Sequence, residues 1–277
     1  MKNFKKLKII IKCVSCFILA MIFSACTNNT KSSSNKLKVG MECSYAPFNW
    51  IQPTSKGEAI KISGGWFANG YDVYISKKIS EILGMDLEIV KLDWDGLLPA
   101  LTSGKIDAIV AGMSVTEERK KAIDFTNDYY TSNIVIVVKK GSKYESAECL
   151  DDFKHAKITG QIGTIHYDLI DQIEEVDKQT PMEDFPSMVS SLSAGKIDGY
   201  VSERSSALMA TYSNPLLTYI DFKPENGFKF SKDEVSIAIG VRKNSELKDK
   251  INKALESISE ETKCELMNKA VERSYVS

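Results

Sequence analysis

LTSGKIDAIVAG, Leu101 to Gly112, recurs ninety-one positions on as LSAGKIDGYVSE, Leu192 to Glu203. In each copy an apolar helical segment (Leu97, Leu98 and Leu101; Met188 and Leu192) stops at a glycine, Gly104 or Gly195, and a short β-rich run follows the Lys-Ile-Asp turn. Helix, cap and strand therefore occur twice. A separation of this length is about one small lobe, so the repeat predicts two similar α/β lobes, with duplication inside a single core as the alternative. Open parallel sheets bind ligands just beyond the carboxyl ends of their strands. Two such lobes set face to face would confront each other with Ala111-Gly112-Met113-Ser114 and Val201-Ser202-Glu203.

The N-terminus reads as an export signal. Lys2, Lys5, Lys6, Lys8 and Lys12, with no acid among them, lead into the apolar run Cys13 to Phe23, which is short for a membrane span. It ends in Phe23-Ser24-Ala25-Cys26, small residues before a cysteine, which resembles a bacterial lipobox. The resemblance implies cleavage of residues 1–25 and lipid, such as palmitate, on Cys26, placing the chain on the outer face of the cell membrane. An ordinary secretory signal or an uncleaved anchor helix is the other reading. Residues 26–36, with their TNNTKSSSNK run, read as a flexible polar tether.

Removing the five lysines of the leader from the 36 basic residues leaves 31 against 37 acids, a formal charge of −6 for the remainder. No basic patch survives, which argues against nucleic acid and leaves small molecules or proteins as partners. Cys43, Cys149 and Cys264 cannot all pair and lack zinc-site spacing, so they are expected to be mostly buried thiols. His155 and His166 are too few and too far apart for a metal site. No metal or cofactor is expected.

From Leu37, about 240 residues alternate between strand and helix, enough for one large core or two smaller ones. The pattern predicts a strand over Leu37–Met41, an insertion over Pro53–Gly65, a helix over Val73–Leu83 ended by Gly84, and a strand over Asp86–Leu92. A further helix is predicted from Thr116 to about Ile123, and a last one over Leu247–Ile258. NIVIVVK, Asn133 to Lys139, and EVSIAIGV, Glu234 to Val241, read as two strands that leave the first lobe and return to it. The expected division is lobe 1 over residues 37–133 plus 237–277 and lobe 2 over residues 134–236, joined by this two-strand hinge.

The chemistry should then lie between the lobes. In GMSVTEER, Gly112 to Arg119, the glycine allows a ligand close to the backbone, and Ser114 to Glu117 has capping-box spacing. Free amides at the helix start and the Arg119 guanidinium would suit a carboxylate; a capped surface helix with a solvated arginine fits equally. Glu203 ends the second repeat as a carboxylate suited to an ammonium group, or as an acid favouring the start of the next helix. Gln161 to Thr164 offers donors from the second lobe, or simply a glycine turn. One carboxylate site and one ammonium site describe an amino-acid recogniser.

MECSYAPFNW, ANGYDVYISKKI, WDGLLPALTSGKIDAIVAGMSVTEERKKAIDFTNDYY and KIDGYVSE, in that order, resemble the solute-binding proteins of polar-amino-acid ABC importers, which include lysine/arginine/ornithine-, histidine- and glutamine-binding proteins. The resemblance covers essentially Leu37 to Val276. It implies a type II periplasmic-binding-protein-like fold, two lobes closing on a free amino acid. It also implies Arg119 on the α-carboxylate with the backbone of Gly112, Ser114 and Thr164. Glu203 would take the α-ammonium, where relatives usually carry aspartate. Side-chain recognition would fall to Glu42, Tyr45, Tyr71, Trp94 and Gln161. Tyr45 and Tyr71 stand where the family places aromatic walls, although either could be core; Glu42 stands where basic-amino-acid and glutamine binders carry an acid, although it could be a loop cap. Trp94 reads more as packing than as contact, and the insertion over residues 53–65 as a possible rim of the cleft.

The resemblance implies a monomeric binder that hands its cargo to a permease and catalyses nothing, with a basic amino acid first and glutamine or cystine next. The same fold hosts arogenate and prephenate dehydratases, for which only Glu42 and His166 are candidate acid-base groups. A sensor is the remaining alternative, and its signal would have to pass to a partner chain.

Overall fold

The computed structural model describes residues 35–274. The leader, Cys26 and the tether up to residue 34 lie outside the described residues. Among the described residues no helix is long and apolar enough to cross a membrane.

Both repeat copies close in the same way, and the reason is local. Gly104 and Gly195 adopt left-handed φ values of 79° and 70°, and the amides of Lys105 and Lys196 reach back to the carbonyls of Ala100 and Ser191 at 2.9 and 3.0 Å. Each glycine thus ends its helix, Trp94–Thr102 or Phe185–Ser193, at no steric cost. The aspartate of each Lys-Ile-Asp then locks the next strand to its neighbour. Asp107 accepts the amide of Lys38 at 3.1 Å while its own amide donates to the Lys38 carbonyl; Asp198 does the same with Lys157 at 2.9 Å.

The strands form two five-stranded sheets and one small antiparallel sheet. In chain order they are β1 (Lys36–Met41), β2 (Ser44–Tyr45), β3 (Asn49–Gln52), β4 (Ile60–Lys61), β5 (Phe67–Asn69), β6 (Asp86–Lys91), β7 (Ala108–Ile109), β8 (Ile123–Thr131), β9 (Ile134–Lys139), β10 (Lys157–Thr159), β11 (Asp177–Lys178), β12 (Gly199–Glu203), β13 (Leu217–Ile220) and β14 (Ser236–Arg242). The first sheet runs β6-β1-β7-β14-β8 and the second β11-β10-β12-β9-β13. In each, three parallel strands are followed by one antiparallel strand that arrives after a crossing from the other sheet. The chain passes to the second sheet through Ser132-Asn133 and returns before β14, where the Ser132 amide meets the Val235 carbonyl at 3.1 Å.

β9 explains its own unbroken apolar run. Val135 and Val137 lie on the face of the second sheet that carries Tyr200 and is covered by the helices Phe185–Ser193 and Arg204–Ser213, and Ile134, Ile136 and Val138 pack into the core on its other face. Side chains alternate across a strand, so a strand with a core on each face has no polar position.

Several sequence expectations are corrected. The helix predicted from Val73 begins at Tyr71, with the Gly70 carbonyl accepting from Tyr74 at 3.0 Å. β14 starts only at Ser236, because Ser231 and Glu234 form a reciprocal cap that turns Lys232–Val235 into one helical turn. The helix Leu247–Glu256 is not the last: Glu260–Ser274 follows it. The insertion supplies β4 and the turn before β5, and its Glu58 binds Lys77 at 3.1 Å and also Lys269, tying it to two helices. Among the described residues, Cys43 is buried, Cys149 half-buried and Cys264 exposed, and these three are free.

Gly70 sits where no side chain fits. Its φ is 126°, and a Cβ there would meet the Phe48 carbonyl oxygen at 2.3 Å, because the amides of Tyr71 and Asp72 hold the Pro47 and Phe48 carbonyls against the helix start. Gly70→Ala is expected to lower stability by about 3 kcal/mol or more, read as an earlier midpoint in urea unfolding. An unchanged midpoint would show that this loop yields easily.

Candidate ligand-binding cleft

Two segments of the first sheet and two of the second converge. The loop after β1 brings Glu42, Ser44 and Tyr45. The segment after β7 brings Gly112 and Ser114, and the helix Glu117–Ala122 carries Arg119. From the second sheet come Gln161 to His166 after β10, and Glu203 at the end of β12.

Arg119 is the hinge of this arrangement. Its Nη1 donates to the Ser114 carbonyl at 2.7 Å and its Nη2 crosses to the Gly163 carbonyl at 2.9 Å, while its guanidinium lies 5.2 Å from the Trp94 ring centroid. Burial pulls its pKa down to about 10, which still leaves it charged at neutral pH. The Ser114–Glu117 box does not form: Thr116 caps the helix instead, its Oγ1 accepting the Arg119 amide at 3.2 Å, and Ser114 bridges to Ile237. Ser114 and Thr164 line the space beside this guanidinium, and the Thr164 hydroxyl donates to the Gln161 carbonyl at 2.8 Å. The Gly112 amide donates to the Tyr129 hydroxyl at 3.2 Å. Gly112 serves by its missing side chain, since a Cβ would lie 2.8 Å from the Tyr45 ring.

Across the cleft, Gln161 Nε2 donates to both oxygens of Glu42 at 3.0 and 3.2 Å, and Tyr45 stacks on Phe185 with centroids 4.3 Å apart. The two halves are therefore in contact. Tyr45, Trp94, Gly112, Ser114, Arg119, Gln161, Thr164 and His166 surround a space of only about 10 Å³, which one water would fill. An amino acid enters only if the halves part.

Beside it lies a second space of about 240 Å³, bordered by Glu42, Asp93, Asp95, Glu183 and Asp184 against the single cation Lys91. Burial pushes Glu42 up to about 7, the Gln161 hydrogen bond partly offsetting this and Asp184 and Asp93 adding to it. Cys43, next to Glu42, faces inward: its amide is held by Asn49 at 2.6 Å and burial pushes its thiol up to about 12.

Glu203 is buried. Its Oε2 lies 2.9 Å from His166 Nε2 and its Oε1 accepts from Ser206 at 3.3 Å, and burial pushes its carboxyl up to about 8. It does not border the space beside Arg119; His166 does. Tyr71 is not brought to the cleft either. It is fully buried, its hydroxyl donating to the Tyr129 carbonyl at 2.8 Å amid Phe48, Tyr129 and Tyr130, because the helix it opens packs that face inward. Trp94, read as packing, borders both spaces. Phe185, Glu183 and Asp184 were missed as cleft residues, since nothing local marks them, and His166 was named only as a candidate acid-base group of the dehydratase alternative.

Residues 37–271 match the model of the bacterial extracellular solute-binding proteins, family 3. The chain belongs to this family. It is a family of solute-binding proteins, not of enzymes. A probable histidine-binding protein of Campylobacter jejuni is 30% identical over 80% of this chain and 86% of its own length. The arginine-binding extracellular protein ArtP of Bacillus subtilis is 29% identical over 92% of this chain and 93% of its own. Among solved structures, an ancestral arginine-binding protein bound to arginine superposes with a TM-score of 0.70 at 33% identity, covering 85% of this chain and 97% of that one. An amino-acid ABC transporter substrate-binding protein of Streptococcus pneumoniae bound to L-arginine gives 0.75 at 26% identity, covering 88% and 98%. These relatives share the two-lobe α/β fold.

Proposed function

We propose that the chain captures a free basic amino acid between its lobes and delivers it to the permease of an ABC importer, working as a monomer tethered outside the cell membrane by lipid on Cys26. The observation that carries the ligand class is the division of charge along the cleft. Arg119, with Ser114 and Thr164 lining the same space, suits a carboxylate at one end. The acidic cavity beginning at Glu42 suits a cationic side chain at the other. Tyr45 and Trp94 would flank the ligand between them, and the Glu203–His166 pair would receive its ammonium. The arginine- and histidine-binding relatives point the same way.

Binding would replace the direct cross-cleft bonds of Arg119 and Glu42 with bonds through the ligand. A ligand that touches both halves shifts the population toward the closed form, which is the shape a permease can read.

A thermal-shift screen of residues 27–277 against free amino acids, followed by calorimetry, tests this. A hundredfold excess over Kd adds about 2.7 kcal/mol, a shift of roughly 5 to 10 °C for a domain of this size. L-arginine, L-lysine or L-histidine is expected to give the largest shift. Because the Glu42 carboxyl sits near 7 in the free protein and a cation favours its ionised form, affinity is expected to fall as pH drops from 8 to 6. A screen in which only neutral or acidic amino acids shift the midpoint would overturn the basic assignment.

A further inference from the structure

Resting on the amino-acid reading above, we propose that His166, rather than Glu203, makes the direct contact with the ligand's α-ammonium group, accepting it at Nδ1 while Glu203 stands behind the ring on Nε2. The contact would make His166 a specificity-determining residue of the cleft.

Three observations meet at this ring. His166 borders the space next to Arg119, Gly112 and Thr164, and Glu203 does not. The Nε2 edge is committed, 2.9 Å from Glu203 Oε2, with both side chains more than nine-tenths buried. Nδ1 is buried with no hydrogen-bond partner. A buried polar atom left unpaired costs free energy, and an unpaired acceptor on the wall of a binding space is relieved by a donor arriving with the ligand.

The chemistry of the pair fixes which nitrogen can accept. Burial holds the Glu203 carboxyl up to about 8 in the free protein, and an arriving ammonium group favours its ionised form; with Nε2–H donating to that carboxylate the neutral ring carries its lone pair on Nδ1. Burial, reinforced by the Arg119 charge, holds the imidazole down to about 4, so the ring is neutral at physiological pH. Phe185 meets the ring edge to face with centroids 6.1 Å apart, which helps to fix its orientation.

The test compares L-arginine with 5-guanidinopentanoic acid, which keeps the carboxylate and guanidinium and lacks the α-ammonium, by calorimetry on the wild-type protein, His166→Phe and His166→Gln. Wild type is expected to prefer L-arginine by about thirtyfold, the contribution of a hydrogen bond to a charged group. His166→Phe should lose that preference while binding 5-guanidinopentanoic acid within about threefold of wild type. His166→Gln offers its amide N–H to Glu203 but replaces the fixed ring acceptor with a mobile amide oxygen, so it should keep only part of the preference; it carries the test if the phenylalanine variant does not fold. Full retention of the preference in either folded variant would overturn the assignment and leave the amino-acid reading standing. A wild-type protein that binds neither compound would overturn the arginine form of that reading, and this assignment with it.

Discussion

Replacing Arg119 by alanine is expected to weaken ligand binding a hundredfold or more while the free protein unfolds at nearly the wild-type midpoint. The guanidinium is half-buried, and its partners in the free protein are two carbonyls, Ser114 and Gly163, each of which water can reach once the lobes part. Its stabilising bonds are therefore replaceable, worth about 1 kcal/mol each. A ligand carboxylate is different. Two parallel charge-assisted bonds in a confined cleft contribute about 3 kcal/mol or more, and no other cation lines the space beside Trp94 and Thr164. Calorimetry with the strongest amino-acid ligand, alongside urea unfolding of the free protein, separates the two effects. Wild-type affinity in this variant would remove Arg119 from the site.

The opposite pattern is expected at Asp72, which touches no ligand. It is fully buried, accepts from Asn49 at 2.7 Å and from the Tyr129 hydroxyl at 2.6 Å, and through Tyr129 it holds the Gly112 amide. Asn49 in turn holds the Cys43 amide. One carboxylate thus anchors both the loop that carries Glu42 and Tyr45 and the segment that carries Ser114. Asp72→Ala strands two buried donors and leaves a cavity, so it should cost about 3 to 5 kcal/mol of stability. Asp72→Asn, which keeps the volume and one acceptor, should cost clearly less. Chemical denaturation measures both; an alanine variant as stable as wild type would mean that water replaces the carboxylate there.

Much of the fold was legible because its signals are short-range. The glycine caps at 104 and 195 act over five residues, and the repeat displays them twice, so two similar lobes followed from sequence. The β-branched run of β9 announced a strand. The later helix Glu260–Ser274 was not legible, because its buried residues, Leu266, Met267 and Ala270, form too narrow a stripe among charges.

The cleft divides in the same way. Arg119, Gln161 and Thr164, which sit in motifs with their own local logic, and Glu42 and Tyr45, which the family resemblance named by position, meet in space. Tyr71 was placed at the cleft by position and lies in the core, because Gly70 and the loop carbonyls of Pro47 and Phe48 set the angle of the helix it begins. His166 entered the sequence reading only as a candidate acid-base group of the dehydratase alternative.

The sequence by itself determined two α/β lobes, the crossing strands and the segments whose ends carry polar groups, because caps, turns and strand periodicity depend on neighbours a few residues away. Only the tertiary structure decided which of those groups face one another. Glu42 meets Gln161 from 119 positions away, Tyr45 meets Phe185, and Glu203 turns to His166, and such pairings depend on how the two sheets pack rather than on any local pattern.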